Sequence, residues 1–312
     1  MNVLIICGES SSNQYGVHLS HALTKSGHQV YSYGNQDLAK VTEQLYFFDP
    51  LSHSIAYGNW VRRYVFFKKL TKLSKEAHQS HGFDRVVIID FPSYNFKFAN
   101  IFSNLNIPII TFVTPNFWIW GQKRLAKKLV QYSQKIITIF KKEYDYYTAL
   151  APEKTVYFGH PLTLDYPQAP PSDVSIHPPY HIGIFPGSRT YEIKQNLPVI
   201  CAILKKLRHL SIQPIIYCSN LTLTSVITPI LSKYGLDSMA ILQTPNKPIH
   251  VAVSAPGSNT LLLAFQRVPM VIVGKLPWLT YFIVTYVLRF NLPFVGLPNI
   301  ILGSPVCPEK IQ

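Results

Sequence analysis

In Ile182-Gly183-Ile184-Phe185-Pro186-Gly187-Ser188-Arg189, an apolar run of four residues passes directly into a turn that ends in a cation. The apolar run predicts a buried strand, the next four residues predict a tight turn, and residues 191–207 predict a helix. A strand, turn and helix in this order direct backbone N–H groups and a guanidinium at one point, which suits a phosphate. An ordinary strand-to-helix connection has the same pattern, so the motif alone leaves both interpretations open.

The same alternation of apolar strands and helices runs through the rest of the chain. Strands are predicted at residues 3–7, 29–33, 85–90, 107–113, 182–185, 214–218, 240–242, 249–254 and 270–273. Such alternation is typical of an α/β protein whose parallel sheets are covered by helices on both faces.

A proline-rich connection at residues 163–180 divides these strands into two series, because it contains five prolines among small polar residues. We therefore expect two Rossmann-like, doubly wound domains, residues 1–162 and residues 181–312, facing each other across a cleft. Open α/β sheets bind ligands at the carboxyl ends of their strands. The turn at 186–189 follows such an end, which favours its interpretation as a phosphate site.

The composition indicates a globular protein with a strongly basic surface. The 312 residues are 47% hydrophobic, which excludes an intrinsically disordered chain. Lysine and arginine number 29 against 15 acidic residues, a net charge of +14. Such a charge attracts nucleic acid, anionic lipid or phosphorylated ligands. No nucleic-acid-binding motif accompanies it, so lipid or a phosphorylated ligand is the favoured partner.

Two basic segments, residues 60–73 and 123–129, interleave cations with aromatic or aliphatic residues at helical spacing. Each could lie on a membrane surface with its cations at the lipid phosphates, or be a solvated helix with one buried stripe. The apolar segment 278–290 is shorter than the roughly 20 residues of a bilayer span, so we expect a buried or membrane-touching helix there. The predicted membrane contacts in the first segment are Trp60, Arg62, Arg63, Phe66, Phe67, Lys68 and Lys69.

The N-terminus and the cysteines indicate a cytoplasmic protein. Met1 leads directly into an apolar strand, without the basic segment and cleavage site of a signal peptide. Cys7, Cys201, Cys218 and Cys307 have no paired spacing, so we expect neither disulfides nor a metal site.

Four side chains near predicted strand ends are candidates for chemistry. Asp90 ends a strand, where its carboxylate can accept a proton from an attacking hydroxyl or can brace a loop. Glu9 follows the first strand, and Ser11 offers a hydroxyl in the same turn. His160 precedes the linker and either orients a ligand or braces the hinge.

Seven short motifs occur in a fixed order from the first strand to the last residues. They are Gly8-Glu9-Ser10-Ser11, Ile89-Asp90-Phe91-Pro92-Ser93-Tyr94-Asn95, Thr114-Pro115-Asn116-Phe117-Trp118-Ile119-Trp120, Gly159-His160-Pro161-Leu162, Phe185-Pro186-Gly187-Ser188-Arg189 with Glu192-Ile193, Pro269-Met270-Val271, and Leu297-Pro298-Asn299-Ile300-Ile301-Leu302-Gly303. In this order they resemble the lipid-A-disaccharide synthases over essentially the whole chain.

The resemblance implies a GT-B glycosyltransferase without a metal cofactor. Residues 1–162 would face the acceptor and the membrane, and residues 181–312 would bind the UDP-sugar. The implied reaction moves 2,3-diacylglucosamine from UDP to the 6-hydroxyl of 2,3-diacylglucosamine 1-phosphate with inversion, forming the β-1,6 lipid A disaccharide and releasing UDP. The resemblance also implies peripheral association with the cytoplasmic face of the inner membrane, and it leaves a homodimer possible.

Carried over residue by residue, the resemblance implies that Asp90 is the general base. The donor site would comprise Ser11, Gly187, Ser188, Arg189, Glu192 and Asn299, and acceptor binding or support would fall to Glu9, Asn95 and His160.

The chain departs from the family pattern at four places, one of which is Trp118-Ile119-Trp120-Gly121 where the family has Trp-Ala-Trp-Arg. Ser12 and Asn13 stand where the family has Gly-Asp, and Leu262 stands where it has the glutamate expected to hold the ribose. The resemblance also implies a C-terminus that is shortened relative to the family. These departures leave a second hypothesis open, a non-catalytic or altered-specificity descendant that binds lipid or membrane.

Overall fold

A computed structural model describes residues 1–8, 10–47, 60–90, 94–119, 121–165, 177–218, 221–243, 248–275 and 294–311. The chain divides into two compact units, Met1–Pro161 and Leu162–Gln312. Each unit is built around one parallel sheet with helices, which confirms the predicted α/β class. Most of the predicted linker, residues 166–176, and the apolar segment 278–290 lie outside the described residues.

The first unit contains a sheet of seven strands in the order β3-β2-β1-β4-β5-β6-β7. Neighbouring strands are parallel throughout. The strands are β1 (Asn2–Cys7), β2 (Gln29–Gly34), β3 (Glu43–Phe47), β4 (Arg85–Ile89), β5 (Ile109–Phe112), β6 (Ser133–Thr138) and β7 (Thr155–Tyr157).

Within the described residues of the first unit, six helices accompany the sheet. They are α1 (Ser10–Lys25), α2 (Gln36–Ala39), α3 (Trp60–His81), α4 (Asn95–Ser103), α5 (Lys123–Tyr132) and α6 (Lys141–Thr148). The central strand β1 is apolar on both faces, and Leu4, Ile5 and Ile6 are fully buried. A continuous apolar strand is what a parallel sheet covered on both sides requires, and each buried side chain contributes roughly 1.5–3 kcal/mol.

The second unit contains six parallel strands in the order β10-β9-β8-β11-β12-β13. The strands are β8 (Tyr180–Phe185), β9 (Ile212–Tyr217), β10 (Ala240–Leu242), β11 (Val251–Ser254), β12 (Met270–Gly274) and β13 (Glu309–Ile311). The α-helices in the described part of this unit are α7 (Leu162–Asp165), α8 (Thr190–Lys206), α9 (Thr224–Tyr234), α10 (Ser258–Phe265) and α11 (Leu297–Leu302). One core cluster lies between α8, α9 and the sheet, where Ile184, Leu197 and Ile216 are fully buried, and a second includes Leu263 of α10 and Ile272 of β12.

The structure corrects the sequence prediction in two respects. Residues 10–14, predicted as part of a polar turn, form the first turn of α1, and four strands, β3, β6, β7 and β13, were not predicted. All four cysteines are free thiols, and Cys7, Cys201 and Cys218 are buried. Among the described helices, none is both long and apolar enough to span a membrane.

Candidate active site

The strand order reverses once in each sheet, and several of the predicted site residues follow the strands at these reversals. In the first sheet β1 and β4 diverge, and in the second sheet β8 and β11 diverge. Ligands of open α/β sheets bind where such strands end. Gly8 and Asp90 follow β1 and β4, and the turn at 186–189 follows β8.

Asp90 has a strained backbone at the end of β4. Its φ is +28°, and its N–H is shared between the carbonyl oxygens of Phe112 and Val113 at 3.3 and 3.2 Å. Val113, at the end of the adjacent β5, has a φ of +58°. Non-glycine residues in this region cost about 1–3 kcal/mol each, and they cluster at functional sites. The strain is a physical observation, independent of the motif, that marks Asp90 as a candidate functional residue.

Tyr15 and His160 form a buried pair at the same edge of the first sheet. The Tyr15 hydroxyl lies 3.4 Å from Nε2 of His160, and the two rings meet edge to face. Burial lowers the pKa of His160 to about 4. Burial, followed by the charges of Asp90 and Glu143, raises the pKa of Tyr15. The phenol therefore keeps its proton at neutral pH and can donate it to the neutral imidazole.

Glu143 is a buried carboxylate whose role the sequence did not reveal. Its Oε1 accepts from the N–H and hydroxyl of Thr114 at 2.9 and 2.6 Å, and its Oε2 accepts from the N–H groups of Ile139 and Phe140. Burial raises its pKa, while these donors act in the opposite direction. One carboxylate thus ties the loop after β5 to the loop after β6, and the ring of Phe140 packs against His160.

Several predicted residues lie at the edge of what the structure describes. Glu9 is outside the described residues, and Ser11 and Asn95 lie at the beginnings of α1 and α4 with side chains that are not described. Asn13 is buried, and its Oδ1 accepts from the N–H of Asn35 at 2.9 Å. Asn13 therefore connects α1 to the end of β2.

The turn at 186–189 directs its N–H groups at an anion, which in the structure is the carboxylate of Glu192. The N–H groups of Ser188 and Arg189 donate to Oε2 of Glu192 at 2.9 and 3.3 Å. The Arg189 guanidinium pairs with Oε1 at 3.2 Å. Gly187 has a φ of +126°, and a Cβ there would lie 2.6 Å from Cβ of Glu192. The start of α8 thus has the donors and the positive charge that a phosphate requires.

Asn196 positions this turn, and the sequence analysis missed it. It is buried, its Nδ2 donates to the carbonyl oxygen of Pro186 at 3.0 Å, and its Oδ1 accepts from the N–H of Lys275 at 2.9 Å. The turn after β8 is thereby connected to the end of β12. A polar residue on the apolar face of α8, one turn after Glu192, was the signal that could have identified it.

Asn299, predicted to contact the nucleotide, is fully buried and bonded within its own unit. Its Nδ2 donates to the carbonyl oxygen of Cys307 and to Oε1 of Glu309 at 2.7 and 2.6 Å, and its Oδ1 accepts from the N–H of Cys307. Glu309 also accepts from the N–H groups of Val295 and Gly296. Asn299 therefore joins α11 to β13, and its contact with a nucleotide stays a prediction.

The amino-acid sequence matches the lipid-A-disaccharide synthetase family over residues 3–312. The chain belongs to this family. The lipid-A-disaccharide synthase of Sulfurihydrogenibium sp. (strain YO3AOP1) is 28% identical over 272 residues, which are 79% of this chain and 69% of that protein. The one from Coxiella burnetii (strain Dugway 5J108-111) is 25% identical over 338 aligned positions, which cover 100% of this chain and 84% of the relative.

Membership of the lipid-A-disaccharide synthetase family confirms the predicted enzyme class, a UDP-sugar-dependent glycosyltransferase. Solved structures confirm the GT-B fold. The UDP co-structure of S. aureus MnaA has a TM-score of 0.64 at 11% identity, covering 87% of this chain and 79% of that one. The UDP-GlcNAc 2-epimerase from Neisseria meningitidis bound to UDP-GlcNAc has a TM-score of 0.62 at 13% identity, covering 97% and 90%.

Leu262, where the resemblance led us to expect a glutamate, lies in α10 and is partly buried. The helix begins after Gly257, whose φ is +146°. Across the described ranges, no group of three His, Cys, Asp or Glu side chains comes together as a metal site would require.

The predicted membrane segment forms the first part of α3. The side chains of Trp60, Arg62 and Arg63 are not described. Both Phe66 and Phe67 pack their rings against Tyr94 inside the unit. Among the described side chains of this helix, the exposed apolar ones are instead Tyr64 and Val65, and Lys68 and Lys69 are exposed beside them.

Proposed function

We propose that this protein transfers 2,3-diacylglucosamine from UDP to the 6-hydroxyl of 2,3-diacylglucosamine 1-phosphate, forming the β-1,6 disaccharide. Family membership supports the reaction class. The assignment of residues rests on Asp90, which has a strained backbone and lies at the strand reversal of the first sheet. Strain at such a position is retained where it serves a site.

Asp90 is the general base in this proposal. Its carboxylate accepts the proton of the acceptor's 6-hydroxyl as the oxygen attacks the anomeric carbon of the donor. The bond from that carbon to the diphosphate oxygen breaks on the opposite side, which inverts the configuration and releases UDP. A positioned base of this kind contributes about 10²–10⁴-fold to the rate.

The turn at 186–189 holds the diphosphate in this proposal. The N–H groups of Ser188 and Arg189 already bind a carboxylate, so exchange of Glu192 for a phosphate oxygen needs only a side-chain rotation. Arg189 and the start of α8 then stabilise the negative charge that develops on UDP. This supply of positive charge needs no metal ion, and unchanged turnover in EDTA is the expected result. Ser11 and Asn299 are proposed on the donor side.

Glu9, Asn95 and His160 are proposed to support the acceptor. The protein is proposed to work at the cytoplasmic face of the inner membrane as a peripheral protein. Contact with the anionic surface is proposed through α3, where cations and exposed apolar side chains lie together. A homodimer is also proposed, and light scattering of the purified protein measures it.

The decisive experiment measures UDP release from purified protein with both substrates dispersed in detergent. We expect Asp90→Asn to lose at least about 100-fold in turnover while UDP still raises its melting temperature. Arg189→Ala should lose the UDP-induced rise. Asp37→Asn, an exposed carboxylate of the same unit, is the matched control. Undiminished turnover of Asp90→Asn rejects Asp90 as the base.

Leu262 favours one second candidate, a non-catalytic or altered-specificity descendant that binds lipid. A leucine cannot make the ribose hydrogen bonds of the glutamate expected at this position. This candidate predicts that UDP leaves the melting temperature of the wild-type protein unchanged, while anionic vesicles still bind it.

A further inference from the structure

Helix α5 presents an outward face made of cations. Lys123, Arg124, Lys127 and Lys128 are exposed, whereas Ala126 and Leu129 on the opposite face are buried. An open depression runs along this face, lined by Arg124, Leu125, Lys127, Lys128 and Gln131. Leu125 adds an apolar side chain that is 37% exposed. Basic residues around an exposed leucine are typical of helices that lie at a lipid surface.

The sequence around this positively charged face has no acidic residues over a long stretch. Residues 91–142 contain eight lysines or arginines and no aspartate or glutamate. Within the part of the chain that the structure describes, the cations of α5 have no ion pair with a carboxylate. Unpaired cations on one exposed face retain their field for an external anion.

This face is continuous with α3 through α4. Helix α4 contacts both α3 and α5. Lys128 lies over the ring of Phe96 with its Nζ 5.3 Å from the ring centre, and Lys97 lies over the ring of Phe67 at the same distance. Helix α3 connects β3 to β4, α4 connects β4 to β5, and α5 connects β5 to β6, and all three connections run in the same direction across the sheet. Because crossovers between parallel strands are right-handed, these three helices lie on the same side of the sheet. The cations of α5 and the exposed residues of α3 therefore belong to one side of the first unit.

We propose that the outward face of α5 binds the phosphates of anionic lipids and forms a second membrane contact beside α3. The inference rests on the proposed membrane association but not on turnover. Anionic lipid is the occupant because four cations and an exposed leucine match a surface that is both negatively charged and apolar beneath its head groups.

The test is sedimentation of the full chain with vesicles of phosphatidylglycerol and phosphatidylcholine, and with vesicles of phosphatidylcholine alone. The variant carries Arg124→Gln, Lys127→Gln and Lys128→Gln. A control with the same change in net charge carries Lys205→Gln, Lys206→Gln and Lys233→Gln on the second unit. Turnover of every variant is measured with detergent-dispersed substrates, where no bilayer is present.

We expect the α5 variant to bind anionic vesicles about tenfold or more weakly than wild type, since each cation near such a surface strengthens binding several-fold. The control should bind like wild type, and turnover in detergent should be unchanged in both. Equal vesicle binding of the α5 variant and the control overturns the proposal, as does equal wild-type binding to both kinds of vesicle. Loss of turnover in detergent would assign the α5 cations to substrate binding and also overturn it. Vesicle binding by a wild-type protein without turnover would reject only the proposed reaction.

Discussion

His160 is expected to make the stability of the first unit depend on pH. Burial lowers its pKa to about 4 from an ordinary 6.5. Between these values the unfolded chain binds a proton that the folded chain does not, so the free energy of unfolding rises with pH. Between pH 5.5 and pH 7.5, His160 raises the free energy of unfolding by about 1.3 kcal/mol. Over the whole pH range that spans both pKa values, this contribution approaches about 3 kcal/mol.

The assay is urea unfolding followed by tryptophan fluorescence, because three of the four tryptophans belong to the first unit. Unfolding is measured at both pH values for wild type, His160→Gln and the control His209→Gln, which removes an exposed histidine of the second unit. His160→Gln should lose about 1.3 kcal/mol of the pH-dependent difference, and the control should lose none of it. If His160→Gln retains the full difference, the imidazole is not held neutral by burial.

Three further substitutions test the second unit. Asn196→Ala leaves two backbone groups without their partner, so urea unfolding should show that the free energy of unfolding falls by about 2 kcal/mol. A fall of less than about 0.5 kcal/mol contradicts the positioning role. Gly187→Ala forces a Cβ against Glu192, so thermal unfolding should show a loss of about 1–3 kcal/mol in the free energy of unfolding. The variant should also lose its stabilisation by UDP. Normal stabilisation by UDP argues against a diphosphate site at this turn. Leu262→Glu restores a carboxylate for the ribose, and calorimetry should show UDP binding about tenfold tighter. Unchanged affinity would mean that this position does not face the ribose.

Apolar strands were predictable because the centre of a parallel sheet is buried on both faces. The predicted strands include β1, β4, β8 and β12, each of which is almost wholly apolar. Three of the strands that were missed, β3, β7 and β13, lie at the edges of the described sheets, where an apolar run is not required. The fourth, β6, lies between β5 and β7, but it begins with the polar residues Ser-Gln-Lys and so did not have the apolar pattern of an interior strand.

The start of α1 was misread because its polar residues have low intrinsic helix propensity. In the structure Ser12 and Asn13 are both buried, and Asn13 is bonded to the backbone of Asn35. These contacts join segments more than 20 residues apart. Local propensity cannot anticipate a tertiary contact of this kind, which here outweighs it.

The candidate site was predictable where it depends on strand ends and was not predictable where it depends on contacts between distant segments. Asp90 and the turn at 186–189 follow apolar strands and could be read from the sequence. Glu143 and Asn196 act by joining two loops each, and no local pattern identifies their partners. Glu143 was nevertheless conspicuous, because it is the first acidic residue after an acid-free stretch that begins at residue 91.

The hydrogen bonds of Glu309 determine when the second unit can complete its folding during synthesis. Its carboxylate accepts from the N–H groups before α11 and from the side chain of Asn299, and its backbone lies in the edge strand of the sheet. Neither α11 nor the sheet edge can therefore mature until residues 309–311 have left the ribosome. Until then β12 has an open edge, which a second nascent chain could occupy. A released chain truncated at residue 308 should consequently have a second unit that a protease cleaves near α11, whereas its first unit resists.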